Sequence, residues 1–283
     1  MQRYRILHRT YYSFSGEVQL GPHSLRLRPR EDHEVRIESA TLTITPTAVL
    51  RWQRDVEDNS VATATFETPA SQLAIESDVV IQHFNAAPLD FLVDAQAVDY
   101  PFAYSAEDQP VLFPYMDASR RSSGDPLTAW VDAVWSPGER IQTYALLQRL
   151  CVSIHERIAY RVREEPGVQD AAETLALGTG SCRDSAALFI EAARYLGLAA
   201  RFVSGYLEAE PSALNYGATH AWAEVYLPGA GWKGFDPSIG QMAGAQHIPV
   251  AVARLAESVP PVAGSYVGMP GASLSVGVWV SAL

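Results

Sequence analysis

The sequence predicts an α+β fold: an N-terminal β-sandwich-like domain, then a core that mixes helices with antiparallel strands. Three observations predict it. Residues 4–83 read as runs of alternating, β-rich strands; helical periodicity appears first at Gln142; and beyond Gly197 the chain returns to strands joined by a tight turn. A chain of 283 residues suits one or two domains with a substantial core. The expected divisions are a β domain over 1–85, an ordered connector rich in proline and aromatic residues over 86–138, a core over 139–245, and a C-terminal extension over 246–283 that ends in a strand.

Each element has its own warrant. Tyr4, Ile6, His8, Thr10 and Tyr12 alternate with polar or long residues, so they share one strand face. Leu25-Arg26-Leu27-Arg28-Pro29-Arg30 alternates too and predicts a strand with an arginine-bearing solvent face. Val35–Ile37, Ala40–Ile44, Val61–Phe66 and Val79–Ile81 add further strands at sandwich-like spacing. The connector is punctuated by Pro88, Pro101, Pro110, Pro114, Pro126 and Pro137, yet holds too many aromatics for a disordered linker. Those aromatics are expected to glue the domains together, and the connector could close over the site as a lid.

From Gln142 to about Ala159 no proline or glycine interrupts a helix, and Leu147, Leu150, Cys151, Ile154 and Ile158 form its apolar stripe. A loop through Glu164-Glu165-Pro166-Gly167 leads to a short helix near Ala171–Leu177. Then Ser181 and Asp184 match the S-x-x-[DE] capping box, which places Ser181 at the N-cap and Cys182 at the first helical position. Leu188, Phe189, Ala192, Ala193 and Leu196 give that helix an apolar face, and Gly197 stops it. Strands over Ala200–Leu207, Thr219–Leu227 and Trp232–Phe235 follow, the last two joined through Pro228-Gly229-Ala230-Gly231. With Leu227 opposite Gly231, Asp236 falls opposite Trp222 and diagonal to His220 on one face. Ser273–Val280 alternates like a closing strand.

Only two cysteines occur, too few for a disulfide framework or a cysteine zinc site. Cys151 falls on the helical stripe and reads as a small buried apolar residue. Cys182 is different. It precedes Thr219-His220-Ala221-Trp222 and Gly234-Phe235-Asp236-Pro237, so cysteine, histidine and aspartate stand in the order of a thiol triad. At a helix start the sulfur meets the positive end of the dipole, which favours thiolate, and the free amides there can hold an oxyanion. Asp184 reads as a cap, because a carboxylate beside the thiolate would oppose ionisation.

The net charge of −11 argues against a nucleic-acid partner. No apolar run is long enough to span a membrane, and the start Met1-Gln2-Arg3-Tyr4-Arg5 lacks a signal peptide's apolar middle, so a cytoplasmic protein is expected. His8, His23, His33 and His83 lack metal-ligand spacing. His155-Glu156 begins like a zinc helix motif, but Ala159 fills the second ligand position. His220, Glu224 and Asp236 could gather round zinc on one strand face, which would leave Cys182 without a role. No metal or other cofactor is expected, and no nucleotide fingerprint is present.

Four segments together resemble the transglutaminase-like superfamily of papain-like cysteine enzymes, in its two-domain bacterial branch: Gly180–Asp184, Leu198–Tyr206, His220–Val225 and Gly231–Ser238. The openings Tyr4–Tyr12 and Leu25–Arg30 are similar to that branch's N-terminal β domain. The resemblance implies a papain/transglutaminase-like core in which the helix bearing Cys182 packs on an antiparallel sheet. It implies Cys182 as nucleophile, His220 as general base and acid, and Asp236 as the group that orients the imidazole. It also implies a further oxyanion donor, for which Tyr160 is the candidate; Trp222 is a candidate for the substrate cleft.

The expected function is a cysteine-dependent peptidase or amidase that acts on a peptide or protein amide through a thioester acyl-enzyme. The alternatives are transfer of the acyl group to an amine acceptor, as in transglutaminase crosslinking, and a non-catalytic binding or scaffolding module on the same fold. The triad alone does not separate water from amine as acceptor.

Overall fold

The coordinates are a computed structural model describing residues 1–84, 87–117, 125–163, 165–208 and 219–283. The N-terminal strands are β1 (Gln2–Leu20), β2 (His23–Leu25), β3 (Val35–Thr45), β4 (Val49–Arg54), β5 (Ser60–Thr65) and β6 (Ala70–His83). Alternation along β1 buries Tyr4, Ile6, His8 and Thr10 and turns Arg3 and Arg5 outward, where they pair with Glu38 and Asp78 at 2.6 Å each. β1 runs antiparallel to β6, and β6 to β3. β2, β5 and β4 form a second sheet, and Val18, Leu20, Leu25, Ala62, Ala64 and Leu73 fill the space between the two. This is the expected sandwich. One detail differs: β2 stops at Leu25, and the arginines beyond it are half buried, Arg30 donating to Asn59 Oδ1 at 2.8 Å and to the Glu57 carbonyl at 2.9 Å. Arg30 is held by the β4–β5 turn, Arg26 lies 3.8 Å from the Asp55 carboxylate and Arg28 pairs with Glu31 at 3.3 Å, so these arginines do not form a free solvent face.

The connector contains β7 (Asp99–Tyr100), α1 (Gln109–Met116), α2 (Pro126–Val134) and β8 (Ile141–Gln142); Ala86 and 118–124 lie outside the described residues. Its aromatics are the expected glue. The Tyr100 hydroxyl donates to the Leu196 carbonyl at 2.7 Å, and that of Tyr104 donates to the Tyr226 carbonyl at 3.0 Å while accepting the Ala199 N–H at 2.9 Å. Each tyrosine thus ties the connector to backbone ends of core elements.

The core begins with α3 (Thr143–Arg157), β9 (Ala159–Tyr160), α4 (Ala171–Leu177), β10 (Thr179–Gly180) and α5 (Cys182–Tyr195). It continues with β11 (Ala200–Leu207), β12 (Thr219–Leu227), β13 (Gly231–Asp236), β14 (Gln241–Met242) and β15 (His247–Ala253). The sheet order is β14-β13-β12-β11-β15, antiparallel throughout. Ala221, Ala223, Val225 and Leu227 present one face of β12 to α5, whose Phe189 stacks on Phe235 at 5.5 Å. Small residues on the strand let the helix sit close, and each large side chain buried there contributes about 1.5–3 kcal/mol. Cys151 is fully buried on α3, and burial pushes its thiol above the ordinary range.

The C-terminal extension does not stand apart, contrary to the boundary expected at 245. β15 completes the core sheet beside β11, while β16 (Val262–Ala263), β17 (Tyr266–Val267) and β18 (Ala272–Ala282) return to the sandwich. β18 pairs with β1 over its whole length, His8 opposite Val278. The two halves meet where Tyr4, Ile6, Val79, Ile81 and Val278 pack on Tyr206, Ile248 and Val250. The Tyr206 hydroxyl lies 3.0 Å from His8 Nδ1, and burial lowers that histidine to about 4, so it is neutral at pH 7.

Candidate active site

The first turn of α5 is fixed by Asp184, which is fully buried. Its Oδ2 accepts the Ser181 N–H at 2.7 Å and the Ser181 hydroxyl at 2.8 Å; its Oδ1 accepts from Arg163 at 2.6 Å and from the Gln169 N–H at 2.8 Å. Burial would raise this carboxyl, but the Ser181 and Gln169 amides and the Arg163 guanidinium outweigh it and hold it below the usual range. Asp184 therefore serves as the cap, as its spacing from Ser181 implied, and it also pins the loop before α4 to the helix start. Cys182 follows as the first helical residue. Its position puts the sulfur among the unpaired amides of that turn.

His220 enters from β12. The hairpin to β13 has Leu227 opposite Gly231 and Ala223 opposite Phe235, a register that continues to Trp222 opposite Asp236. Asp236 thereby reaches His220 on its own face, Nε2 to Oδ2 at 2.6 Å. Cys182 lies close enough for its charge to act on the imidazole, and both residues line the same cavity. Burial alone would lower the pKa of His220; the hydrogen bond to Asp236 and the charges of Asp236 and Cys182 raise it to about 10. Asp236 is fully buried, which alone would raise its pKa; hydrogen bonds from His220 and His247 hold it well below the usual range instead. This electrostatic arrangement favours imidazolium beside a carboxylate and a sulfur.

Cys182 and His220 line one cavity of about 630 Å³. Tyr160 lines it too, 56% exposed at the end of β9 and opposite Gly180 of β10. Its phenol is raised by burial and by the charges of Cys182 and Asp236, so it stays an O–H donor at neutral pH. The far wall comes from later in the chain, at Val259, Pro260, Pro261 and Val276. A second cavity of about 330 Å³ abuts the first and shares Val168, Phe202, Ala256 and Glu257 with it.

Two readings need correction: Trp222 in the cleft and the connector as a lid. Trp222 does not line the cleft: it lies only 2% exposed on the other face of the sheet, packed with Val203, Ala243 and Val252 and edge-on to His247 at 5.2 Å. Ala221, Ala223, Val225 and Leu227 take the face toward α5, which leaves Trp222 on the opposite one. The connector's described residues do not line the Cys182 cavity, so they form no lid over it. Glu224 does not join His220 and Asp236, because Arg201 takes it at 2.7 Å.

Two partners of Asp236 escaped the sequence reading. Ser238 gives its N–H at 3.0 Å and its hydroxyl at 2.6 Å to Oδ1, a local turn that the Asp-Pro-Ser spacing could have signalled. His247, from β15, places Nε2 3.0 Å from Oδ2. His220, Asp236 and His247 are thus the described group whose possible ligand atoms lie within 4.8 Å of one another. A cation there would displace the hydrogens now shared with Asp236 and draw His220 away from Cys182, so the donor set suits proton handling better than metal binding.

A cysteine at a helix start, facing histidine and aspartate on an antiparallel sheet, defines the papain-like class of cysteine enzymes. Residues 4–82 match the bacterial transglutaminase-like N-terminal region, and residues 138–237 match the transglutaminase-like superfamily. The chain belongs to that superfamily. It is 29% identical to an uncharacterized protein of Mycobacterium tuberculosis over 93% of this chain and 87% of the relative, and 24% identical to one of Mycobacterium leprae over 100% of both. The fold is similar to that of a candidate cysteine protease from Cytophaga hutchinsonii, with a TM-score of 0.75 at 18% identity, covering 100% of this chain and 91% of that one.

Proposed function

We propose that the protein is a cysteine-dependent amide hydrolase, a peptidase or amidase, with Cys182 as nucleophile, His220 as general acid and base and Asp236 as its orienting carboxylate. One observation carries the reading: His220, hydrogen-bonded to Asp236, shares with Cys182 a cavity large enough for a peptide segment. The Cys182 thiolate attacks the amide carbon, and the carbonyl oxygen takes the charge against the backbone N–H groups of the α5 start, with the Tyr160 hydroxyl as a further donor. Imidazolium His220 passes its proton to the leaving amine, and a thioester remains. Water then attacks the thioester while His220 takes its proton; the acid leaves and the thiolate returns.

A second fate, transfer to an amine, has its own support in the cavity that adjoins the first, which offers a second substrate room beside the thioester. The proposed compartment is the cytoplasm, where both free cysteines stay reduced; cell fractionation checks it.

The test is a peptide library assayed with and without a primary amine. Hydrolysis without amine, abolished in Cys182→Ala and lowered roughly 10²–10⁴-fold in Asp236→Asn, is the expected result. Product that forms only as an amine adduct would make the protein an acyltransferase. Binding of a partner that Cys182→Ala leaves intact, with no turnover by the wild type, would return it to a scaffolding role.

A further inference from the structure

Asp236 accepts from two histidines at one oxygen, and the triad accounts for only one of them. His247 is 5% exposed at the start of β15. Its Nδ1 accepts the Gly244 N–H at 3.2 Å, and an amide can only donate, so Nδ1 carries no hydrogen. In the neutral ring the hydrogen is therefore on Nε2, which points at Asp236 Oδ2 from 3.0 Å. The tautomer is set by backbone, and no net charge on His247 is required.

The carboxylate is consequently held at both ends: Ser238 grips Oδ1 with two donors, and His247 and His220 share Oδ2. Rotation of the Asp236 carboxyl would break bonds on both oxygens together. A fixed Oδ2 fixes the ring of His220, and a fixed ring keeps it beside Cys182. The titratable groups around His247 are Asp236 of β13, His220 of β12 and His83 of β6, together with Asp32, Glu34, Glu224 and Lys233, which line one small pocket with it. Trp222 packs edge-on against the ring at 5.2 Å.

We propose that His247 is a positioning residue of this site: a neutral Nε2–H donor that holds Asp236 Oδ2 in line with His220 and so keeps His220 aimed at Cys182. The inference rests on the Cys182, His220 and Asp236 reading above. It requires a donor at that point, not merely a ring of the right volume.

Iodoacetamide labelling of Cys182 at pH 5–6, where an isolated thiol barely reacts, reads the thiolate–imidazolium pair without any substrate. His247→Gln offers an N–H of similar reach, and His247→Phe fills the space with no donor; thermal melts confirm that both variants fold. We expect the Phe variant to label at least about tenfold more slowly at low pH, the loss that goes with one hydrogen bond to a charged group, and the Gln variant to recover most of the rate. Nitrogen-15 NMR of labelled histidine in the wild type is expected to show His247 protonated at Nε2 only. Wild-type labelling by the folded Phe variant, equal loss in both variants, or a hydrogen on Nδ1 overturns the inference while the triad reading stands. Absence of low-pH labelling in the wild type overturns the triad reading, and the inference with it.

Discussion

His220 carries opposite pressures, and their balance predicts its pH behaviour. Burial favours the neutral ring, but Asp236 and Cys182 favour the charged one and raise it from 6.5 to about 10. A raised cation stabilises the fold fully below pH 6.5, and that contribution fades as pH rises through about 10. Asp236 has the opposite sign: it is depressed from 3.8, so its contribution is full above pH 3.8 and fades as pH falls below it. The pair therefore stabilises most between about pH 4 and 6.5, and urea melts across pH should show His220→Ala costing most in that window and least above pH 10. Equal cost at every pH would contradict the charged pair. Much of this site was legible from residue order: Cys182 before His220 before Asp236, with Ser181 and Asp184 three apart. His247 was not, because a lone histidine with no local motif gains its meaning only when β15 lands beside β11 and brings it to Asp236.

The hairpin β12–β13 works because two glycines make room for Trp222. A Cβ on Gly205 would press into the Ile248 carbonyl and come within 2.7 Å of the indole, and one on Gly234 would lie 2.6 Å from the Ala243 methyl and 3.2 Å from the indole nitrogen. Gly205 stands opposite His220, so strain there reaches the site directly. Gly205→Ala should destabilise by about 1–3 kcal/mol in chemical denaturation and slow low-pH labelling of Cys182; an unchanged midpoint would show that the strands part easily. At α5, Asp184→Ala strands Arg163 and two amides, and we expect a loss of roughly 3–5 kcal/mol by the same measurement. The hairpin register was open in the sequence: an even-sum pairing puts Asp236 on the face of His220, a one-residue change in loop length turns it away, and the fold takes the first. The connector's helices were not legible. Pro114 sits inside α1, where local propensity speaks against a helix, whereas Pro110 and Pro126 fall in first turns that tolerate proline; packing of Leu112 on Ala199 and of Leu127 and Val131 on the main core decides.

At the scale of the whole molecule, the chain's order and its layers do not coincide. β18 lies beside β1, buries Val278 between the halves, and lends Val276, 49% exposed, to the wall of the cavity. Removing residues 264–283 should therefore lower the melting temperature of the whole protein and not merely trim an end. Calorimetry showing an unchanged core transition would refute this. The sequence showed the alternation of this strand but not its destination, because strand pairing over such a separation leaves no local trace. Timing follows from the same feature. A ribosome finishes Cys182 and its helix long before it reaches Pro261 and Val276, so during synthesis the nucleophile exists without the wall that would hold a substrate against it. The order of manufacture acts as a safety catch: the reactive thiol meets a complete cleft only when the strands that began the chain have taken back those that close the cleft.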